Sequence, residues 1–416
     1  MDFTTSEAAT DLGGLVATIT ESVCTNEHQR ELDRAGQRFD RALWDKLITA
    51  DVLSAAAPES IGGGGYGIEE AAAIATALGR QLAAVPYLES VLLAAGAIAE
   101  FGSPALATEW AAPAVAGTKI LTVALTPEMG AGPVRAATGD DGVLLTGTRT
   151  QVNYARVADA ILVPAETDSG TAVYLVDADA PGLTVTPLDT TGKGNVAHLK
   201  LDGVSVGADR RLGDGALDWL RARTLLGYSA YQLGVLERAL ELTASYAAER
   251  EQFDRPIGSF QAVAQRLADG YIDVKGLRLT LTQAVYSTAD VDIASAAFWA
   301  AEAGHRVAHT AVHVHGGVGI DEDHPIHRYF LFAKQTEFGL GGATGQLLAI
   351  GRAATADALL NLHRVPGEVP VDNGRAELEV QALAGDAARE HHLVLAGPEP
   401  GHHRRPVISM DATVQH

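Results

Sequence analysis

The sequence predicts an α+β protein whose chain runs through helices, then a β-domain, then helices again. Three observations predict it. Apolar residues recur at helical intervals from residue 1 to about 118. Short β-rich runs broken by turn signals replace them over 119–214. Long helical runs then fill 215–363. A tail over 364–416, rich in Pro, Gly, Asp and His, lacks periodicity and reads as an extended or partly disordered arm.

In the first part, "ELDRAGQRFDRALWDKLITADVLSAA" sets Leu32, Phe39, Leu43, Leu47 and Ile48 at the spacing of an amphipathic helix. "PESIGGGGYG" interrupts as a flexible loop, and "IEEAAAIATALGRQLAA" resumes helix. The middle part alternates "KILTVALT", "GVLLTGT", "DAILVPA", "AVYLVDAD", "LTVTPL" and "AHLKLDGVSV" with Asp-Asp-Gly, Ala-Pro-Gly and Thr-Gly-Lys-Gly turns. Strands this short and closely spaced suit a small barrel or sandwich. The third part holds a long proline-free run, "LRARTLLGYSAYQLGVLERALELTASYAAEREQF". Three more helical runs begin at "FQAVAQRL", "IASAAFWAA" and "GGATGQLL".

Composition excludes several functions. There are 31 basic and 52 acidic side chains, a net charge of −21, so no general attraction to nucleic acid or anionic membrane is expected. Cys24 is the sole cysteine, which rules out an intrachain disulfide and a thiolate zinc site. The His-His pairs of the tail read as solvated surface, and no metal site is expected. The first residues lack the basic and apolar regions of a signal peptide, and apolar stretches such as "SVLLAAGAIA" are too short to span a bilayer. A soluble, cytoplasmic chain is the expectation.

One stretch does not suit a plain helix surface. "REQFDRPIGSFQ" (250–261) puts a guanidinium, amides and an aromatic ring on a sharp bend between two helical runs. Ordinary local roles are available: Arg250 to pair with Glu249 or Glu251, Gln261 to cap the next helix. With its continuation to Asp269, this stretch resembles the Arg-x-x-Phe-Gly-x-x-Ile-x-x-Phe-Gln signature of the acyl-CoA dehydrogenase family. "APESIGGGGYG" (57–67), "YLVDADAPGLTVTPL" and "VHGGVGIDEDHPIHRYF" (314–330) resemble further segments of that family, and the likeness covers about 25–360.

The resemblance implies a helical N-terminal domain, a β-barrel middle domain and a four-helix-bundle C-terminal domain. It also implies FAD shared between subunits. The counterpart of Arg250 meets the pyrophosphate, and those of Gln252, Phe253 and Gln261 line the adenine and ribose end. His313 joins the cofactor site, and the Gly316-Gly317 turn of the neighbouring chain lets backbone approach the dinucleotide. The chemistry agrees: a diphosphate needs a fixed cation and backbone N–H groups, glycine permits close approach, and an aromatic ring stacks on adenine.

The chain departs from the family pattern at the chemistry. Dehydrogenation of an acyl thioester needs a base for the α-proton, usually a glutamate in a dry site. Here that position is Leu340. An alternative early in the first long C-terminal helix is Tyr231, an unfavourable base with an ordinary pKa near 10. Of the acids nearby, Asp218, Glu237 and Glu337, the last is the least implausible substitute. The flavin-edge segments are altered to "LTPEMGAGPV" and "TQVNYARVAD", where Thr126 and Thr150 are left to supply hydroxyls. Similar truncations recur in family members built from paired unlike subunits.

The expected function is FAD-dependent α,β-dehydrogenation of an acyl thioester, carried by CoA or an acyl-carrier protein, to a trans-2-enoyl thioester. An electron-transfer flavoprotein takes the electrons, in a homodimer, a homotetramer or a heterotetramer with a related chain. The alternatives are a catalytically incomplete subunit of such a heteromer, or a flavin oxygenase or flavin-free protein on the same fold.

Overall fold

A computed structural model describes residues 4–36, 38–139 and 142–362. The tail over 364–416, its His-His pairs included, lies outside the described residues.

The N-terminal part is helical: α1 (Glu7–Val23), α2 (Asn26–Ala35), α3 (Arg41–Thr49), α4 (Val52–Ala55) and α5 (Ile68–Arg80). The single helix expected over 31–56 is broken into three. Gly36 closes α2 in the left-handed region (φ +64°), and Asp40 opens α3 by accepting the Leu43 N–H at 2.9 Å. Asp51, left-handed at φ +55°, then separates α4. The glycine-rich loop that follows is tightly folded, not slack: Gly63, Gly64 and Gly65 donate their N–H groups to Pro58, Ser54 and Ala57. Beyond α5, Tyr87–Ala95 winds in wide π turns and continues as α6 (Gly96–Phe101), followed by the short α7 (Pro104–Leu106) and α8 (Ala112–Val115).

The middle part is one seven-stranded curled sheet: β1 (Leu121–Val123), β2 (Arg135–Gly139), β3 (Gly142–Asn153), β4 (Ala160–Thr167), β5 (Gly170–Asp177), β6 (Leu183–Pro187) and β7 (Val196–Gly207). β4 pairs with β5 along one edge and with β1 and β2, both parallel, along the other. Antiparallel pairing continues from β2 through β3 and β7 to β6. The expected barrel is thus a half-barrel, curled around Leu145, Ile161, Tyr174, Leu199 and Leu201. β2 is the strand that the turn pattern did not reveal.

Four long helices form the C-terminal bundle: α9 (Ala216–Glu249), α10 (Gln261–Ser287), α11 (Asp290–His315) and α12 (Ile326–Gly339). A two-residue hairpin of β8 (Glu251–Gln252) and β9 (Arg255–Pro256) joins the first pair, and α13 (Gly342–Leu362) follows the bundle. Among the described residues no helix is long and apolar enough to cross a membrane.

Two glycines let α5 lie against α9. A Cβ on Gly79 would sit 2.1 Å from the Tyr231 carbonyl oxygen, and one on Gly234 would sit 1.9 Å from that of Thr76. Backbone cannot yield as a side chain can, so only hydrogen fits there. The Thr76 hydroxyl adds a hydrogen bond to the Ala230 carbonyl at 3.0 Å. Farther out, Asp33 is shared by the guanidiniums of Arg38 and Arg328, and Arg328 also donates to Asn26 Oδ1 at 2.6 Å. This buried group ties α2 to α12 across most of the chain's length.

We expect Gly234→Ala to destabilise the protein by about 1–3 kcal/mol through overpacking against α5. Gly351→Ala, on an exposed turn of α13 with open space around it, should be neutral or stabilise by up to about 1 kcal/mol. Thermal unfolding of both variants checks the contrast, and equal effects would refute the close-approach account.

Candidate functional site

Two ends of the bundle carry the candidate functional residues. At the first, α9 stops at Arg250, which leaves the helical region, and the hairpin turns through Phe253 (φ +55°) and Asp254 (φ +59°). A two-residue turn with both centres left-handed favours Asn-Gly, so Phe253 is held there at a conformational cost. Its ring is 85% exposed and meets Phe260 edge-on at 6.1 Å, while the Arg255 guanidinium lies 4.0 Å over Phe260. The Arg250 side chain is exposed and has no hydrogen bond or ion pair among the described residues; neither Glu249 nor Glu251 takes it. Gln252 is exposed and donates to the Glu251 carbonyl at 2.7 Å. Gln261 opens α10 exposed and does not cap it.

The Gly316-Gly317 turn lies at this same end of the same chain. Tyr246, one turn before Arg250, stacks on His315 with ring centroids 4.3 Å apart. Gly316 directly follows at φ +63°, ψ −136°, a combination open essentially to glycine, and nothing lies within 4 Å of where its Cβ or that of Gly317 would be. His313 is exposed on the last turn of α11. A free cation, an open glycine turn and an outward aromatic ring together fit the diphosphate and adenine end of FAD.

At the second end, the N-terminal helices, the sheet and the bundle enclose a cavity of about 460 Å³. The first half of α9 presents Thr224, Tyr228 and Tyr231. α12 presents Phe332, Lys334 and Phe338, and the π-wound helix presents Leu88 and Glu89. β3 slips its register on β7 between Arg149 and Val152, and left-handed Gln151 and Tyr154 bend its end inward. Asn153 and Tyr154 thereby reach the cavity wall. Thr126 lines it too, whereas Thr150 donates its backbone N–H to the Thr126 carbonyl at 3.1 Å.

The polar floor of this cavity is Glu89, only 5% exposed. Its Oε1 accepts the Tyr228 hydroxyl at 2.6 Å and Asn153 Nδ2 at 3.1 Å. Burial pushes the Glu89 carboxyl above its ordinary value, against these hydrogen bonds, and likewise keeps Tyr154, Tyr228 and Tyr231 neutral. Sequence reasoning missed Glu89, because "YLESVLLAAG" reads as an apolar stretch. The available signal was one carboxylate inside such a stretch, since glutamate is almost never fully buried without partners.

The sequence-derived base candidates fare differently. Tyr231 lines the cavity but is a neutral phenol. Glu337 does not line it and is engaged by Lys334 and by His305 Nδ1 at 3.3 Å. Asp218 pairs with Arg221 on the surface, and Glu237 pairs with Arg80 and Arg278. Leu340 is buried in the core, its N–H bonded to the Thr336 carbonyl and its own carbonyl accepting from Gln346 Nε2.

A glutamate with a raised folded pKa keeps its proton in the native state at a pH where the unfolded chain has lost it. Its contribution to stability is complete below the ordinary value of 4.5 and declines as pH rises above it. The Glu89→Gln variant keeps an acceptor for Tyr228, so its stability should decline less steeply from pH 4.5 upward. Superimposable pH–stability curves would contradict the burial of an ionisable group here.

Comparison with known proteins gives concordant matches. Residues 6–118 match the acyl-CoA dehydrogenase N-terminal domain model, and residues 215–355 match the C-terminal domain model. Acyl-CoA dehydrogenase FadE27 of Mycobacterium tuberculosis is 66% identical over 85% of this chain and 98% of its own length. The solved ChsE4-ChsE5 complex of the same organism has a TM-score of 0.83 at 66% identity, covering 88% of this chain and all of that one. The Tcur3481-Tcur3483 steroid ACAD, solved as a glycine-to-alanine variant, has a TM-score of 0.81 at 38% identity, covering 86% and 100%.

Proposed function

The chain belongs to the acyl-CoA dehydrogenase family of FAD-dependent flavin oxidoreductases, and we propose that it serves there as one half of an unlike pair. In this reading the assembly converts an acyl thioester to its trans-2-enoyl product, and a related chain provides the proton-abstracting carboxylate. FAD supplies hydride acceptance when bound. This chain's part is to hold the diphosphate and adenine end with Arg250, Gln252, Phe253, Gln261 and the Gly316-Gly317 turn.

The carrying observation is the buried Leu340 at the position of the family's base. An aliphatic side chain cannot take an α-proton, and no substitute carboxylate from α12 reaches the cavity. The length of α9 supports sharing as well. Tyr231 and Arg250 are separated by roughly 28 Å along the helix at about 1.5 Å per residue. The short ribityl chain of FAD does not bridge that distance, so Arg250 serves a ring lodged in another chain. The similar solved structures include a two-component complex and a steroid enzyme. By that likeness we assign a bulky, ring-bearing acyl thioester as substrate and, from the likeness to an electron-transferring flavoprotein structure, such a protein as oxidant.

A second reading, dehydrogenation by this chain alone, draws on Glu89, the carboxylate that does line the cavity. Its occupied Oε1 argues against it. In the co-purified assembly, Arg250→Ala should weaken flavin retention about tenfold to a hundredfold, the loss of one charge-assisted contact. Thioester bleaching should survive Glu337→Gln and Glu89→Gln in this chain. Unchanged flavin retention in Arg250→Ala, or bleaching abolished by Glu89→Gln, would favour the second reading.

A further inference from the structure

The Gly316-Gly317 turn rests on a buried imidazole. His315, the last residue of α11, is only 4% exposed, and its ring stacks on Tyr246 of α9 with the planes 23° apart. The Tyr246 carbonyl accepts the Arg250 N–H at 2.8 Å, so this one ring contact sets the turn against the helix end that carries the free guanidinium. The chain beyond the turn folds back over the same residue. A Cβ on Gly319 would sit 2.7 Å from the Val312 carbonyl oxygen and 3.2 Å from the His315 Cβ.

The ring suits this place only when neutral. Its Nδ1 lies 2.8 Å from the Ala311 carbonyl oxygen, an acceptor, so Nδ1 carries the proton. Nε2 is then a lone pair, buried and without a hydrogen-bond partner among the described residues. An imidazolium would put a second N–H there, with a charge and no acceptor, where burial penalises both. Burial accordingly holds the His315 pKa below its ordinary value. Tyr246 from α9 and His324 from the loop before α12, its ring centroid 5.0 Å away, are the titratable groups that face the ring. The turn itself, Gly316–Ile320, brings none. The Asp321 carboxylate acts on His324, whose pKa burial and His315 lower, and leaves His315 uncompensated.

We propose that His315, neutral and clamped on Tyr246, is the residue that positions the Gly316-Gly317 turn beside Arg250, and that acid frees the turn by expelling the ring. The consequence for flavin rests on the shared-site reading above; the clamp itself does not. Because the folded pKa is the lower one, the stability of the closed turn is complete above about 6.5 and is lost as pH falls below it. A released imidazole at that ordinary value is about tenfold protonated at roughly pH 5.5. Amide hydrogen exchange of Gly316–Ile320 in the full chain without flavin, corrected for the intrinsic pH dependence of exchange, tests the clamp. Opening should rise between about pH 7.5 and about pH 5.5, and His315→Phe, which keeps an aromatic ring on Tyr246, should lose about tenfold of that rise. Tyr246→Leu, which keeps the imidazole, should speed exchange at about pH 7.5 by about threefold to tenfold, the scale of one aromatic pair. An acid response of the same size in His315→Phe, or exchange unmoved in Tyr246→Leu, overturns the proposal. In the co-purified assembly, flavin retention should fall over the same pH range, and less so in His315→Phe. Exchange that responds while flavin retention does not would keep the clamp and sink the dinucleotide reading of this surface instead.

Discussion

The length of one helix governs this molecule. α9 runs 34 residues without a break, and whatever binds near its start is held far from whatever binds at its end. Tyr228 and Tyr231 face the cavity early in the helix, while Arg250 leaves it at the terminus beside the Gly316-Gly317 turn. A rigid rod holds these two candidate surfaces apart. The proposed division of the flavin between chains rests on that spacing together with the apolar residue at 340.

The rod is useful only if its neighbours are fixed against it. Gly79 and Gly234 bring α5 to backbone contact with α9, setting the height of Tyr231. At the outer side, Asp33 pairs with two buried guanidiniums. Burial alone would raise its carboxyl, but hydrogen bonds from Arg328 and Arg38 and their charges outweigh it and hold the pKa below the usual value. Removing the shared acid from such a group leaves buried charge uncompensated, which is far costlier than losing a surface pair. The cavity floor follows the opposite logic: Glu89 lacks a countercharge, so burial raises its pKa and hydrogen bonds alone hold it.

The helix–sheet–helix order was legible because the hydrophobic period switches near 118 and again near 215. The surface proposed to hold the dinucleotide stood out because its residues are clustered in two short segments around a bend. Breaks inside 31–56 were harder to see: the apolar period carries on across Gly36 and Asp51, and only the cap chemistry of Gly36 and Asp40 marks the ends. Glu89 and the Asp33 group were not legible. Their roles depend on partners such as Tyr228 and Arg328, 139 and 295 residues away, and on π turns that no local pattern signals. The inward bend of Asn153 and Tyr154 likewise comes from a register slip set by β7, not by β3 alone.

The most direct test of the divided site is the visible absorbance of this chain purified alone, with flavin counted per protomer, beside the same chain co-purified with a related, base-carrying chain. The account predicts a nearly colourless protein alone and a yellow assembly whose flavin is bleached by an acyl thioester. A full flavin complement on the lone chain, bleached by the same thioester, would contradict it.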